Sequence, residues 1–490
     1  MDPLEITRRY GKTLSPAGLP PTDAPGWIDT VDNPYLHGLF APVTAEQQAE
    51  DLQITGELPA DLSGAYFRNG PNSRFAPRNR YHWFDGDGMI HGVWFSEGRA
   101  RYQSRWVQTR GRLAEEANNE AIWPGVLGPF DFTLPGGPLK DTANTDLITI
   151  GDRLFALWYE SGQLYEIDPD SLQTRGVETF GGLLPRRISA HSKVDPATGD
   201  FIFFSYGDRP PYMRYGVVRP DGTAHNTDVT LPGPRRPHDL GITPKYTILH
   251  DFPVFFDPER FKQTGKRVPL FHPDVPTRYG VIPRFGTDDD IKWFSFAPCY
   301  MLHVVNCWEE GDWVVMVGCR TADPTLKPDR RDGRIAAMLS GIKLKASLYE
   351  WRMNLATGAT SERDLDDMNA EFPMINPATL GTPGRYAYLQ AIPYEIPVTF
   401  NALVKTDLHT GRSESYTYGP GIYGSEAPFA ARPGATDEDD GYIVTFATDT
   451  SDWSSACLVF DAKNIADGPL ATVHIPHRIP AGFHATWMPR

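Results

Sequence analysis

The sequence predicts an all-β protein whose short antiparallel sheets are arranged around a central axis, as in a β-propeller. Apolar runs of strand length, rich in β-branched and aromatic residues, recur along the chain and begin at Gly or Asp turns; examples are residues 151–162, 199–208, 311–319 and 440–449. Several are followed by an Asp-Pro or Thr-Gly turn and a second strand, which is typical of β-hairpins. The 45 glycines and 45 prolines are spread throughout, so no linker divides the chain.

A propeller suits these elements because four-stranded blades bury apolar strands and protect the edges of the sheets. The chain has no repeat signature of the WD or kelch type, so the residues alone leave the number of blades open. The βαβ alternation and Gly-rich turn of a Rossmann fold are missing. We expect a single domain over residues 26–490, with inserted cap loops, after an N-terminal extension at residues 1–25.

The composition excludes several other classes of protein. Of the 490 residues 40% are hydrophobic and 12% aromatic, which allows a large core, but no apolar run approaches the roughly 20 residues of a membrane span. The N-terminus lacks the apolar segment of a secretory signal, and four cysteines without a CxxC pair are too few for a disulfide framework. The net charge of −15 argues against nucleic acid as a partner. We therefore expect a cytoplasmic protein; its oligomeric state is not indicated.

Two apolar segments are candidates for peripheral contact with a membrane. Residues 334–346 place Ile335, Met338, Leu339 and Ile342 on one face of a predicted helix. Such a helix either packs on a propeller face or touches a membrane surface. The segment "DFPVFF" at 251–256 is the second candidate, with a buried strand as its alternative.

Among thirteen histidines, four are singled out by their context, three of them in surroundings where an unpaired polar ring would be costly: His191, His238, His303 and His484. Burial of an unpartnered polar ring costs roughly 1–3 kcal/mol, and a metal ion, or a carboxylate on the far ring nitrogen, removes that cost. His82 and His250 compete on the same grounds. The long spacings match no local metal motif, but they suit a propeller in which each blade offers one side chain to the axis.

Four imidazoles suit Zn, Cu, Fe or Ni, so their chemistry alone does not choose the metal. Because such a site lacks an anionic ligand, carboxylates bonded to the rings would supply compensating charge. Three glutamates stand in apolar company where a partner is expected: Glu160, Glu371 and Glu426. For each of them, a salt bridge to Arg or a backbone cap remains the alternative.

A series of segments, in order along nearly the whole chain, matches one known family: "NPYLHGLFAPV", "GELPADLSGAYFRNGPN", "FDGDGMIHGVWF", "TANTD", "SAHSKVDP", "HDLGIT", "EFPMINP", "YGSEAPF" and "HRIPAGFHATW". No single segment would suffice. Together they identify the chain as a member of the carotenoid cleavage oxygenase family. The resemblance implies a seven-bladed propeller with a cap of loops and short helices over the metal-bearing face.

The resemblance also implies the metal site. Its four histidine ligands for Fe(II) fall on His191, His238, His303 and His484. Its supporting carboxylates fall on Glu160, Glu371 and Glu426, which in the family's pattern serve His238, His303 and His484 respectively, while His191 has none. The family's apolar substrate tunnel falls on Phe84, Thr145, Leu302 and an aromatic residue before Glu160, which is either Trp158 or Tyr159.

The implied activity is oxidative cleavage of a C=C bond by O2 to give two carbonyl products. Relatives that cleave stilbenes and related phenylpropanoids typically carry Lys just before the first glutamate, whereas this chain has Tyr159. That difference favours a polyene, a carotenoid or an apocarotenoid, over a stilbene. An isomerohydrolase acting on retinyl esters and a propeller that only binds apolar ligands are further alternatives; retention of all seven site residues speaks against the binding protein.

Overall fold

The computed structural model describes residues 33–490, except 79–80, 129–130, 135, 186, 257–258, 260–261, 263–268, 326–343 and 394–396. The predicted N-terminal extension and residues 334–343 of the predicted amphipathic helix lie outside the described residues. The start of the propeller domain at residue 26 therefore stays a prediction.

The described residues are mostly β-strand. In chain order the strands are β1 Gln48–Ala49, β2 Ile54–Gly56, β3 Gly64–Pro71, β4 Gly88–Ser96, β5 Arg99–Trp106, β6 Asp146–Ile150, β7 Arg153–Leu157, β8 Leu164–Ile167, β9 Thr174–Glu178, β10 Lys193–Val194, β11 Phe201–Tyr206, β12 Met213–Val218, β13 Ala224–Val229, β14 Gly241–Ile242, β15 Tyr246–Asp251, β16 Val254–Phe255, β17 Leu270–Phe271, β18 Thr277–Pro283, β19 Lys292–Phe296, β20 Tyr300–Glu310, β21 Trp313–Thr321, β22 Ser347–Asn354, β23 Thr360–Asp364, β24 Ala370–Met374, β25 Tyr386–Ala391, β26 Ala402–Asp407, β27 Arg412–Thr417, β28 Ile422–Gly424, β29 Phe429–Ala431, β30 Gly441–Asp449, β31 Ser455–Asp461, β32 Ala471–Ile475 and β33 Ala485–Pro489.

Seven antiparallel sheets of four or more strands form the blades of a β-propeller, as the family resemblance implied. From the centre outward, blade 1 is β33-β3-β4-β5-β1 and blade 2 is β6-β7-β8-β9. Blade 3 is β10-β11-β12-β13, blade 4 is β14-β15-β18-β19, blade 5 is β20-β21-β22-β23 and blade 6 is β24-β25-β26-β27. Blade 7 starts from β28 and β29, both paired with β30, and continues through β31 and β32 to β2. A separate ribbon, β16-β17, extends from blade 4.

Both ends of the described chain close the ring. The N-terminal strand β2 is the outer strand of blade 7, with Ile54 opposite Val473. The C-terminal strand β33 is the inner strand of blade 1 and pairs with β3 from Gly64–Pro489 to Arg68–Ala485. The first and last blades are therefore each built from both ends of the sequence.

The apolar core lies between consecutive blades. Each of seven hydrophobic clusters in the described ranges joins two neighbouring blades. Alternate residues of a strand serve the two sides: Phe201 and Phe203 pack toward blade 2, whereas Ile202 and Phe204 pack toward blade 4. Burial on both faces explains why the strands are continuous apolar runs rather than alternating ones.

Besides the strands, the described chain contains one α-helix and several short 3-10 helices. The helix α1, Arg110–Asn118, lies between β5 and β6; the Thr109 side chain accepts a hydrogen bond from the Arg112 amide, and the helix ends at Asn119 in a left-handed conformation. Short 3-10 helices span Pro34–Leu36, Gly38–Phe40, Trp83–Asp85, Asp288–Asp290, Pro377–Thr379 and Ile465–Asp467. Within the described ranges, no helix combines the length and apolar character needed to cross a bilayer.

Candidate metal centre

All seven blades contribute a polar side chain to one place at the centre of the ring. The contributing residues, from blade 1 to blade 7, are His484, Asp146, His191, His238, His303, Glu371 and Glu426. Each lies in the inner strand of its blade or in the chain next to it. A propeller therefore brings together residues that are far apart in sequence, because each inner strand faces the same axis.

The four predicted histidines come together. Their potential ligand nitrogens all lie within 4.8 Å of one another, which is close enough for a single ion between them. Ring centroids of His191 lie 4.6 Å from those of His238 and His484 and 4.9 Å from that of His303. All four side chains are buried. The competing candidates, His82 and His250, lie outside this cluster.

Local backbone irregularities aim several of these side chains. The β20–β21 register shifts between Met301 and Val304, around His303, and the β24–β25 register shifts just after Glu371. Such bulges turn a side chain out of the regular alternation of a strand. His191 and Phe372 also have positive φ, at 60° and 54°. Backbone strain of this kind is concentrated at functional sites.

Two of the three predicted glutamates bind the imidazoles that the family pattern gives them. Nδ1 of His303 lies 2.5 Å from Oε2 of Glu371, and Nδ1 of His484 lies 2.9 Å from Oε1 of Glu426. Each carboxylate also accepts a backbone N–H, from Phe372 and from Ala485 respectively. A carboxylate on Nδ1 fixes the tautomer so that the lone pair of Nε2 is free for a metal.

The third glutamate is placed differently. Glu160 Oε2 lies 3.3 Å from Nη1 of Arg236, and Nδ1 of His238 is buried without a hydrogen-bond partner among the residues that the structure describes. The expected pairing of Glu160 with His238 is therefore not the arrangement in the structure. Instead, Asp146, which the sequence reasoning did not select, lies 3.1 Å from Nδ1 of His191. Asp146 is the last residue of the quoted "TANTD" segment. Its position as a carboxylate at the start of an apolar inner strand could have identified it from the sequence.

Electrostatics favour neutral rings at two of the four histidines. Burial, and then the neighbouring histidines, hold the pKa values of His191 and His238 well below the usual range. For His484, burial acts in the same direction, but the Glu426 carboxylate outweighs it and raises the pKa. Nε2 of His191 and of His303 is buried without a hydrogen-bond partner among the described residues. Buried lone pairs of neutral imidazoles are the donor set that a divalent transition metal requires.

Aromatic rings surround the histidines. Phe372 stacks on His484 with centroids 4.7 Å apart, and Tyr159 lies 4.5 Å from His238. Phe84 contacts Tyr159 at 5.6 Å and Phe483 at 5.1 Å. These rings exclude water from one side of the site, since they also belong to the apolar cluster of the cap or border it.

Of the other predicted tunnel residues, some lie beside the histidines and some lie farther away. Tyr159 contacts His238, whereas Trp158 lines a separate cavity of about 40 Å³ with Asp85 and Trp123. The Thr145 carbonyl accepts the His484 amide at 3.2 Å, and its hydroxyl accepts the Tyr159 amide at 3.1 Å. Leu302 is half-buried beside His303 in β20.

The predicted membrane segment at 251–256 is mostly interior. Phe252 is fully buried, and Phe255 in β16 stacks on His272 with centroids 3.8 Å apart. Residues 344–346, the described end of the predicted amphipathic helix, precede β22, and Leu344 packs against the apolar cluster of the cap. Contact with a membrane stays a prediction.

A sequence model of the family described as retinal pigment epithelial membrane protein matches residues 40–489. The chain belongs to this family, the carotenoid cleavage oxygenases. A carotenoid 9,10(9',10')-cleavage dioxygenase of Crocus sativus is 37% identical over 489 residues, 92% of this chain and 88% of that protein. A carotenoid cleavage oxygenase of Mycobacterium tuberculosis is 33% identical over 509 residues, covering 93% and 98%.

Solved structures of carotenoid cleavage oxygenases and related enzymes have the same fold. The lignostilbene dioxygenase of Pseudomonas brassicacearum superposes with a TM-score of 0.82 at 28% identity, covering 94% of this chain and 99% of that one. A variant of Synechocystis apocarotenoid oxygenase gives a TM-score of 0.81 at 27% identity, covering 92% and 97%. The chain is thus an enzyme of the carotenoid cleavage dioxygenase type, and the predicted seven-bladed propeller is confirmed.

Proposed function

We propose that this enzyme uses O2 and Fe(II) to cleave one C=C bond of a carotenoid or apocarotenoid into two carbonyl products. The observation that carries the proposal is the buried cluster of four histidines beside an aromatic wall. The sequence relatives named as carotenoid cleavage dioxygenases support the substrate class. A water-poor aromatic surface suits an apolar polyene better than a polar substrate.

The residues present fit a divalent metal. Four imidazoles with buried Nε2 or Nδ1 atoms provide neutral ligands, and Glu371, which is fully buried, has one carboxylate oxygen without a hydrogen-bond partner in the described ranges. A buried carboxylate oxygen without a donor is costly unless a cation lies nearby. Imidazole chemistry also admits Zn, Cu and Ni, so the choice of Fe(II) follows the family. The chemistry that a bound Fe(II) ion supplies is the activation of O2.

The protein's part in this reaction is positioning and exclusion of water. His191, His238, His303 and His484 would hold the ion, and the carboxylates of Glu371 and Glu426 fix two of these rings with Nε2 turned away from the carboxylate. The rings of Phe84, Tyr159 and Phe483 provide a rigid apolar wall against which a polyene can lie. The position at which this wall holds the polyene would determine which of its double bonds is cleaved. No side chain is needed as nucleophile or proton donor.

Cleavage of a stilbene or related phenylpropanoid is the second candidate, because the lignostilbene dioxygenase superposes at least as well as the apocarotenoid oxygenase. Tyr159 distinguishes the two proposals. Stilbene-cleaving relatives carry Lys at this position, whereas the Tyr159 hydroxyl belongs to a buried group with Tyr206 and Tyr300. A phenol in place of an ammonium group favours the polyene.

The test is product analysis with purified, iron-loaded protein. Incubation with a carotenoid, a β-apo-carotenal and resveratrol under ¹⁸O2 is followed by mass spectrometry of the products. We expect aldehyde or ketone products from a polyene, with labelled oxygen in the new carbonyl groups, and none from His303→Ala. Products from resveratrol alone would replace the first proposal by the second. Retention of cleavage in His303→Ala would exclude the proposed metal site.

A further inference from the structure

We propose that Asp146 is a positioning carboxylate for the metal ligand His191, and that Glu160 does not perform this role for His238. The inference rests on the proposed function, because it concerns how the four imidazoles are held for a metal. The proposal changes which carboxylate supports which ring. Three rings have a carboxylate near Nδ1, and the third of these carboxylates is Asp146 of blade 2, which lies beside His191 of blade 3.

One oxygen of Asp146 holds both the ring and the backbone of His191. Oδ2 lies 3.1 Å from Nδ1 of the imidazole and 3.1 Å from the backbone nitrogen of the same residue. The other oxygen, Oδ1, accepts the Leu147 amide at 2.7 Å, which fixes the carboxylate itself. Hydrogen bonds to an ionised acceptor are stronger than those between neutral groups.

This double contact accompanies an unusual backbone conformation at His191. Its φ of 60° lies in the left-handed region, which a residue with a Cβ rarely adopts. The contact with Asp146 offsets that strain, because the backbone N–H of His191 donates to the carboxylate in this conformation. Asp146 therefore fixes both the backbone position of His191 and the orientation of its imidazole ring.

The contact also selects the tautomer that a metal needs. With the proton on Nδ1 facing Asp146, Nε2 keeps its lone pair, and Nε2 of His191 is buried without a hydrogen-bond partner in the described part of the chain. The same pattern holds at His303, where Glu371 occupies Nδ1 and Nε2 is unpartnered among those same residues. His191 and His303 thus present equivalent nitrogen atoms to the centre.

Arg236 accounts for the different role of Glu160. Its Nη1 lies 3.3 Å from Glu160 and its Nη2 lies 3.1 Å from Asp208, while its carbonyl accepts the Tyr300 hydroxyl at 3.2 Å. The side chain of Arg236 is only 5% exposed, so this guanidinium is a strong and fixed partner for Glu160. Within the described structure, Nδ1 of His238 is left without a hydrogen bond.

The experiment measures metal affinity rather than turnover. Apo-protein is titrated with Co(II) in competition with a chelator, and the visible absorption of bound Co(II) is recorded, for the unaltered chain and for Asp146→Ala, Asp146→Asn, Glu160→Gln and Glu371→Gln. Removal of a carboxylate that orients a ligand typically lowers metal affinity 10–100-fold. We expect a loss of this size for Asp146→Ala and Glu371→Gln, and less than about threefold for Glu160→Gln.

Asp146→Asn separates positioning from folding. Asn keeps an oxygen that can accept the His191 amide, so this variant folds as the unaltered chain does and recovers part of the affinity that Asp146→Ala loses. The Co(II) spectrum should shift in both Asp146 variants, because the field of one ligand changes, whereas a purely structural role would leave it unchanged. If Asp146→Ala is unstable, the Co(II) affinity and spectrum of Asp146→Asn alone test the proposal.

Two results would overturn the proposal. One is an unchanged affinity and Co(II) spectrum in both Asp146 variants; the other is a loss in Glu160→Gln as large as that in Asp146→Ala. Failure of the unaltered chain to bind Co(II) or Fe(II) at all is a separate outcome, and it would reject the proposed function together with this inference.

Discussion

Removal of residues 485–490 tests how closure of the propeller supports its metal site. The deletion takes away β33, the inner strand of blade 1, but keeps His484. Five residue pairs join β33 to β3, and each backbone hydrogen bond in such a ladder contributes about 1 kcal/mol net. Burial of Met488, 7% exposed, adds about 2 kcal/mol. The free energy of unfolding should therefore fall by roughly 7 kcal/mol.

That change can be read as a melting temperature. The entropy of unfolding is about 2.1 cal/mol/K per residue, which amounts to about 1 kcal/mol/K for a chain of 490 residues. The deletion should lower Tm by roughly 7 °C. It should also weaken metal binding, because Glu426 holds the His484 ring through Oε1 and the Ala485 amide through Oε2. Without Ala485, the ring loses the strand that fixes its direction.

The assay is differential scanning calorimetry of metal-free protein together with metal analysis after reconstitution. His484→Ala is the companion variant: it should lose the metal while its metal-free Tm falls less than that of the truncated protein, since β33 and its pairing remain. A truncated protein with the Tm of the intact chain would refute the reasoning that β33 closes the ring. Full metal content in the truncated protein would refute the coupling of the strand to the site.

Three further results are expected. Glu371→Gln should lower metal affinity 10–100-fold, because it removes the carboxylate charge that faces Nδ1 of His303. Lys193→Met should cost roughly 3 kcal/mol in a denaturant titration, because it leaves Asp239, 2.6 Å from the ammonium group, buried without its cation. Burial raises the pKa of Asp85 to about 7, so the folded state favours the protonated carboxyl. That stabilisation is complete below about pH 4, the pKa of the unfolded chain, and is lost as the pH rises toward 7. The unaltered chain should lose roughly 3–4 kcal/mol more than Asp85→Asn between pH 4 and pH 8.

Matched controls distinguish these effects from general destabilisation. Glu438→Gln removes a carboxylate that accepts the amides of Arg385 and Tyr386, away from the histidines, and should leave metal affinity unchanged. Lys245→Met breaks an ion pair with Glu309, but the lysine is 72% exposed, so its effect on stability should be much smaller than that of Lys193→Met. Equal effects of Lys193→Met and Lys245→Met would contradict the role of burial at Asp239. A pH dependence that Asp85→Asn retains would contradict the assignment of that dependence to Asp85.

The composition and turn chemistry of the chain determined the all-β class. Strands such as Phe201–Tyr206 are recognisable because both of their faces are buried, and they leave a continuous apolar run bounded by Gly and Asp turns. The number of blades was not determined in this way, since the blades share no repeat signature. It came from resemblance to a family, and the sheet pairing agrees with it.

The sequence by itself also brought four histidines and three glutamates to attention, because an unpartnered polar ring or carboxylate in an apolar segment needs an explanation. Only the tertiary structure decided which carboxylate meets which ring. Asp146 stands 45 residues before His191 and Glu371 stands 68 residues after His303, and no local pattern encodes such contacts. They arise because inner strands of different blades converge on one axis. The buried guanidinium of Arg236 holds Glu160, and the ring of His238 therefore has no carboxylate partner among the described residues.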